Sequence, residues 1–199
     1  MKKQQWDEIA DAILDGIRRA GRDGAAGRSR RQKDKIDEMI RRARQTDDDQ
    51  SNVSTPSIPR DRSRTDGAVQ PLDVDTYAKL KSRAEVGDRL EHDHVPSAAA
   101  LIKAKEIELD RPLKPDELRD IYNNAATVEL PSSVHRDTRT YGGRNTADQI
   151  AADAADLAGA ANADYKDRIA LMLQHGYSQD EVRDAIAKLI DMNKERGIG

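Results

Sequence analysis

The 199 residues are 36% charged and only 3% aromatic, with no Phe and no Cys. That length suits one domain of ordinary size, but an apolar share of 36%, much of it Ala, predicts a modest core with helices or tails outside it. Without Cys there are no disulfides and no thiolate metal sites, so a metal would rest on His, Asp, Glu or Asn, a donor set suited to Mg²⁺, Mn²⁺ or Zn²⁺.

The N-terminus, "MKKQQWDEIADAILDG", starts as a signal peptide would, but acids interrupt its apolar positions and no signal peptide is expected. No apolar run approaches the roughly 20 residues that span a bilayer, so a soluble chain without a membrane partner is expected. Trp6, Ile9, Ile13 and Ile17 recur at helical spacing over residues 4–20. Three glycines in "GRDGAAGR" break that helix, and Ile36, Met39 and Ile40 mark a second over 31–45. Stripes this thin need a partner, either each other or another protein. Residues 1–45 carry 13 Lys/Arg against 8 Asp/Glu under a net charge of −3. This excess suits nucleic acid or an acidic partner, or a solvated helix surface on which acids alternate with bases. Residues 46–70 are polar and hold two prolines, which predicts a flexible linker and a domain boundary.

From residue 71 the pattern changes. "PLDVDTYAKLKSRA" predicts a helix with Tyr77, Leu80 and Ala84 on one face, and "VGDRLEHDHVPS" a short irregular strand or loop. "SAAALIKAKEIELD" predicts a helix capped by Ser97, and "RPLKPDELRDIYNN" one opened by Pro115 or Asp116. "ATVELP" alternates as a strand does, "SSVHRDTR" reads as a short helix or turn, and "YGGRN" as a tight turn. The remainder is helical, Ala-rich up to a break at "HGYS", then resuming with a Ser178/Glu181 capping box and closing at Gly197.

Three of the four histidines, His92, His94 and His135, fall in "LEHDHVPS" and "VELPSSVHRDTR". Histidines in polar loops are commonly just solvated, and His175 reads as a helix C-terminal residue favoured by the dipole. The functional alternative has chemical content. A neutral imidazole can take a proton from water, and the adjacent carboxylate can hold a hard divalent ion. On a strand, Asp93 and His94 would point to opposite faces, so one shared site needs a bend, which Val95-Pro96 could supply. His92 would share a face with His94. His135 beside Arg136 and Arg139 suits a phosphodiester, an ion polarising the phosphoryl group while guanidinium groups clamp its oxygens. In "TYGGRN" the glycines permit positive φ in a turn. Arg139, Tyr141 and Arg144 could also reach a substrate there, beside a helix N-terminus capped by Thr146.

The order "HDHVPS", a helical insertion, "NNAATVELPSSVH" resembles the HNH or His-Me finger nucleases, above all those at the C-termini of bacterial polymorphic toxins of the Rhs or secretion-system effector kind. The resemblance covers roughly residues 86–145 and implies a mostly α fold with a small β-hairpin, a ββα-metal core embedded in helices. It implies His94 as the general base and Asp93 and His135 as ligands of a divalent ion (Mg²⁺, Mn²⁺ or Zn²⁺). Arg136, Arg139, Tyr141 and Arg144 become substrate contacts. The asparagine of that pattern usually stands nearer the helical histidine, where this chain has Ala126 and Thr127; Asn124 is assigned its role, with Asn123 and Thr127 as the alternatives. The zinc-knuckle version is excluded because there is no Cys pair.

The function expected is a metal-dependent endonuclease acting as an antibacterial toxin, cutting DNA rather than RNA. Residues 71–199 form the nuclease domain, and 1–45 a delivery or partner-binding segment. Partners implied are nucleic acid, a cognate immunity protein and a delivery or chaperone partner. The protein would be made in the bacterial cytoplasm and passed to a target cell by a dedicated secretion system. Two rival functions are a non-enzymatic helical adaptor and a metal-independent ribonuclease using His94 and His135.

Overall fold

The computed structural model describes residues 67–199; the helices expected over 4–20 and 31–45, and nearly all of the expected linker, lie outside them. Three short strands form an antiparallel sheet in the order β1-β3-β2: β1 is Val74–Thr76, β2 Leu90–His94 and β3 Ala126–Pro131. Seven α-helices accompany the sheet among the described residues: α1 (Tyr77–Arg83), α2 (Ala98–Leu109), α3 (Pro115–Asn124), α4 (Ser132–His135), α5 (Ala147–Ala155), α6 (Leu157–Gln174) and α7 (Gln179–Glu195). The fold is therefore mostly helical around a small sheet, as expected. β2, β3 and α4 form the ββα unit, with α2 and α3 inserted into the hairpin.

β3 is the central strand, and all six of its residues are buried because both sheet faces are covered. The register pairs Asp93 with Val128 and Val128 with Val74, placing these on one face. His92 pairs with Glu129 and His94 with Thr127 on the other. Against the first face pack Ile169 and Met172 of α6 and Val182, Ile186 and Leu189 of α7, all fully buried with Val128 and Leu130. Each such side chain contributes roughly 1.5–3 kcal/mol by leaving water. The second face is covered by α1 and, beyond it, by Tyr122 of α3.

Local signals fix most boundaries. The Ser97 hydroxyl accepts the Ala100 N–H at 3.3 Å to start α2, and Ser178 with Glu181 closes a capping box on α7. The Ala-rich stretch, expected as one helix, is two. Asp156 leaves helical geometry (φ −143°) and its carboxylate accepts the Gly159 N–H at 2.8 Å, capping α6 afresh. β1 was not expected; it occupies the start of the stretch expected as helix, where Leu72 and Glu129 exchange backbone hydrogen bonds with β3 and Asp73. Val69, within the expected linker, is fully buried and its N–H donates to Arg83.

Candidate active site

β2 is extended, so its side chains alternate: Glu91 and Asp93 face α4 and α6, while His92 and His94 face α1 and α3. α4 begins directly after β3, and Ser132 ties it to the approach to β2. Both the Ser132 N–H and its hydroxyl donate to the Arg89 carbonyl at 2.9 Å. One helical turn later His135 is turned back onto β2. Its Nδ1 lies 2.6 Å from Glu91 Oε2, and its Nε2 lies 3.4 Å from Asp93 Oδ1. The Tyr141 ring stands edge-on to the imidazole at 5.0 Å.

Behind Asp93 lies Arg168, a fully buried arginine from the middle of α6. Its Nε donates to Asp93 Oδ2 at 2.7 Å and its Nη2 to Asp93 Oδ1 at 3.0 Å, a side-on fork. The same guanidinium donates to Asp164, Asp167 and Thr140, each at 3.0 Å. Arg139 enters this network from the other side, donating to Asp164 at 2.7 Å and Asp153 at 2.9 Å. Burial alone would raise the Asp93 pKa, but Arg168 and His135 hold it down at about 2. Asp164 goes the other way. Burial, only partly opposed by Arg168 and Arg139, pushes it up to about 6, and its Oδ2 is buried without a hydrogen-bond partner. Burial would also lower His135, yet the Asp93 and Glu91 carboxylates outweigh it and the net shift is upward.

On the opposite face His94 is buried among rings. Tyr77 stacks on it at 5.1 Å with the planes 23° apart, and Tyr122 lies tilted at 4.4 Å. His94 Nε2 sits 3.2 Å from the Tyr122 carbonyl oxygen. A carbonyl only accepts, so Nε2 carries the proton and Nδ1 keeps the lone pair. Burial lowers the His94 pKa, against the Tyr122 carbonyl and Asp93, so the ring is held neutral. His92 pairs through Nδ1 with Glu129, whose Oε1 accepts while its Oε2 is buried without a partner.

The structure thus brings Asp93 and His135 together and sets His94 across the strand from them. Val95-Pro96, where a bend was expected, is a cis peptide directly after His94. Arg136 stays exposed beside His135. Arg139 is drawn inward to three aspartates, its backbone N–H reaching Asp167 at 2.9 Å, rather than outward to a substrate. Arg144 is exposed, and its guanidinium donates to the Arg136 and Thr138 carbonyls. The Asn124 amide is turned to Asp120, at 2.8 Å from its carboxylate, and its carbonyl accepts from Arg196. Thr127 lies opposite His94 in the register, buried, with its hydroxyl donating to the Ala125 carbonyl at 3.1 Å.

Glu91 and Arg168 were not anticipated. The Glu-x-Asp spacing of "EHDH" could have revealed Glu91, since a strand puts both carboxylates on one face. Arg168 lies 75 residues from Asp93 and carries no local signal.

Asp93 and His135 are the pair able to share an ion. Two donors bonded to one such ion at about 2.1 Å each stand roughly 3.0–3.4 Å apart, and these nitrogen and oxygen atoms are 3.4 Å apart. Each also has the outer partner that metal ligands usually have, Glu91 on the far nitrogen of the imidazole and Arg168 on the carboxylate. No cluster of three or more such donors occurs among the described residues. An ion held here would therefore have two protein ligands and would take the rest of its shell from water or phosphate.

No protein-family model and no solved structure matches the chain. Over 131 residues, 66% of the chain, it is 52% identical to a protein called deoxyribonuclease CdiA from Dickeya dadantii (strain 3937). The chain spans only 4% of the length of that relative. No helix among the described residues is long and apolar enough to cross a membrane.

Proposed function

We propose that this chain is a metal-dependent endonuclease of the HNH kind, hydrolysing phosphodiester bonds in DNA and acting as an antibacterial toxin. The observation that carries the reading is the state of His94. A buried neutral imidazole, its Nε2–H held by the Tyr122 carbonyl, leaves Nδ1 as a proton acceptor one residue along β2 from Asp93, on the strand's other face and within electrostatic reach of Asp93 and His135. The name of the relative, a deoxyribonuclease, favours DNA as the substrate.

In this reading His94 Nδ1 takes a proton from the attacking water. Asp93 and His135 would hold a divalent ion, which when bound polarises the phosphoryl group and stabilises its developing charge. Glu91 orients His135, and Arg168 keeps Asp93 ionised and fixed. Arg136, exposed beside His135, offers a guanidinium to the phosphate. The toxin reading carries with it a cognate immunity protein and a delivery system, with residues 1–45 as the segment that meets the delivery or chaperone partner.

The test is plasmid cutting by the purified protein with Mg²⁺, Mn²⁺ or Zn²⁺, beside His94→Ala with its thermal unfolding checked. Loss of a general base predicts a fall in rate of about 10²–10⁴-fold. Equal cutting by the variant, or no cutting with any of the three ions, overturns the reading.

A further inference from the structure

The described region has few aromatic rings, and two of its tyrosines converge on His94. Tyr77 and Tyr122 meet edge to face at 4.6 Å, and both contact the His94 ring. Tyr77 lies inside this stack. Tyr122 is different: 39% of it remains exposed although its ring touches two others. Of the large apolar side chains exposed among the described residues, Val86, Ile107, Leu109 and Tyr122, it alone touches the candidate base.

Its helix adds a second observation. α3 buries none of its residues fully, and Tyr122 in its last turn packs on the His94 ring. Three residues before Tyr122, and so on the same face of the helix, stands Arg119, which is exposed. An exposed ring beside a guanidinium is the combination that holds single-stranded nucleic acid, the ring stacking a base and the cation meeting the backbone.

We propose that Tyr122, with Arg119, is a stacking platform for an unpaired nucleobase next to the bond being cut, so that the favoured substrate is single-stranded or locally opened DNA. The proposal rests on the nuclease reading. In an intact duplex both faces of every base are covered by neighbouring bases, and only a base that has left the stack can lie on Tyr122. A backbone-reading cutter would need basic contacts alone. The exposed ring adds a preference for strand state without adding one for sequence, because every base has a π-face.

A merely protective role for Tyr122, as a lid over His94, would be served equally by leucine. Binding in EDTA, followed by fluorescence anisotropy, separates the two using the full chain and three oligonucleotides of one sequence: single-stranded, duplex, and single-stranded with abasic residues. Tyr122→Phe is expected to bind the single strand within about twofold of the unsubstituted protein. Tyr122→Leu is expected to bind it roughly tenfold more weakly while its affinity for the duplex and the abasic strand is unchanged. Arg119→Gln should weaken binding to all three. An equal loss on all three strands for Tyr122→Leu, or a duplex bound as tightly as the single strand, overturns the platform. If that occurs while plasmid is still cut with metal, the nuclease reading stands alone. Tyr122-dependent binding without cutting under any metal supports the platform and overturns the nuclease reading.

Discussion

On one side of β2, Glu91 and Asp93 each face a nitrogen of His135 and Arg168 closes behind them; on the other, His92 and His94 meet the rings of Tyr77 and Tyr122. The first side is assembled from formal charges: Asp93, Asp153, Asp164 and Asp167 surround Arg139 and Arg168. The second is assembled from rings and one buried carboxylate, Glu129. The difference follows from what each side must hold. A carboxylate remains ionised in a buried place only if a cation stands against it, whereas an imidazole remains a base only if cations are kept away. Two residues adjacent in sequence obtain opposite electrostatic surroundings because a strand sends them to opposite faces.

The largest effect should come from breaking the charged side. Arg168→Ala leaves Asp93 and Asp164 buried without their main partner and should destabilise the fold by about 3–5 kcal/mol. Denaturant unfolding measures this. Tyr122→Ala on the ring side removes a part-exposed ring and leaves no buried charge unpaired, so it should cost clearly less, and equal losses would mean that the two faces do not differ in this way. Arg168→Lys should fall between, since it keeps the charge and loses the side-on fork to Asp93.

Asp164 sharpens the same contrast through pH. Its pKa is raised from 3.8 to about 6. The unfolded chain therefore ionises it first, and stability is full below about pH 4 and falls as pH rises towards 6, by about 3 kcal/mol in all. Asp93, lowered to about 2, has the opposite sign: its contribution is present above about pH 4 and is lost as pH falls towards 2. Asp164→Asn should remove the decline between about pH 4 and pH 6 and leave the acid-side loss in place. Thermal unfolding across that range checks it, and an undiminished decline in the variant would place its origin elsewhere.

What the sequence disclosed and what it withheld divide along the same line. The strand in "LEHDHVPS", the strand and short helix of "ATVELPSSVH", and the caps at Ser97 and Ser178 are signals within a few residues, where local hydrogen bonding and alternation decide the outcome. Alternation also put His92 and His94 on one face. Arg168 was hidden because its partner is 75 residues away, and from sequence it is one more charge on an Ala-rich helix. The inward course of Arg139 was hidden for the same reason, since its aspartates come from α5 and α6. β1 owes its pairing to β3, over fifty residues later, and three residues cannot announce a strand by themselves.

The smallest effect tests whether the two sides are separate in function as well as in build. Glu91 touches the candidate ion pair only through His135, by accepting at Nδ1. Removing such an outer carboxylate typically weakens metal affinity by about 10–100-fold. Glu91→Gln can still accept from Nδ1 but lacks the charge, so the lower end of that range is expected. Calorimetric titration of Mn²⁺ reads this without any substrate present. His92→Gln, one residue along the strand but on the opposite face, should leave Mn²⁺ affinity unchanged. If it weakens Mn²⁺ binding as much as Glu91→Gln does, the ion is held across the strand and not on the carboxylate side. If neither variant alters it, the Glu91 carboxylate does not act on the ion through His135.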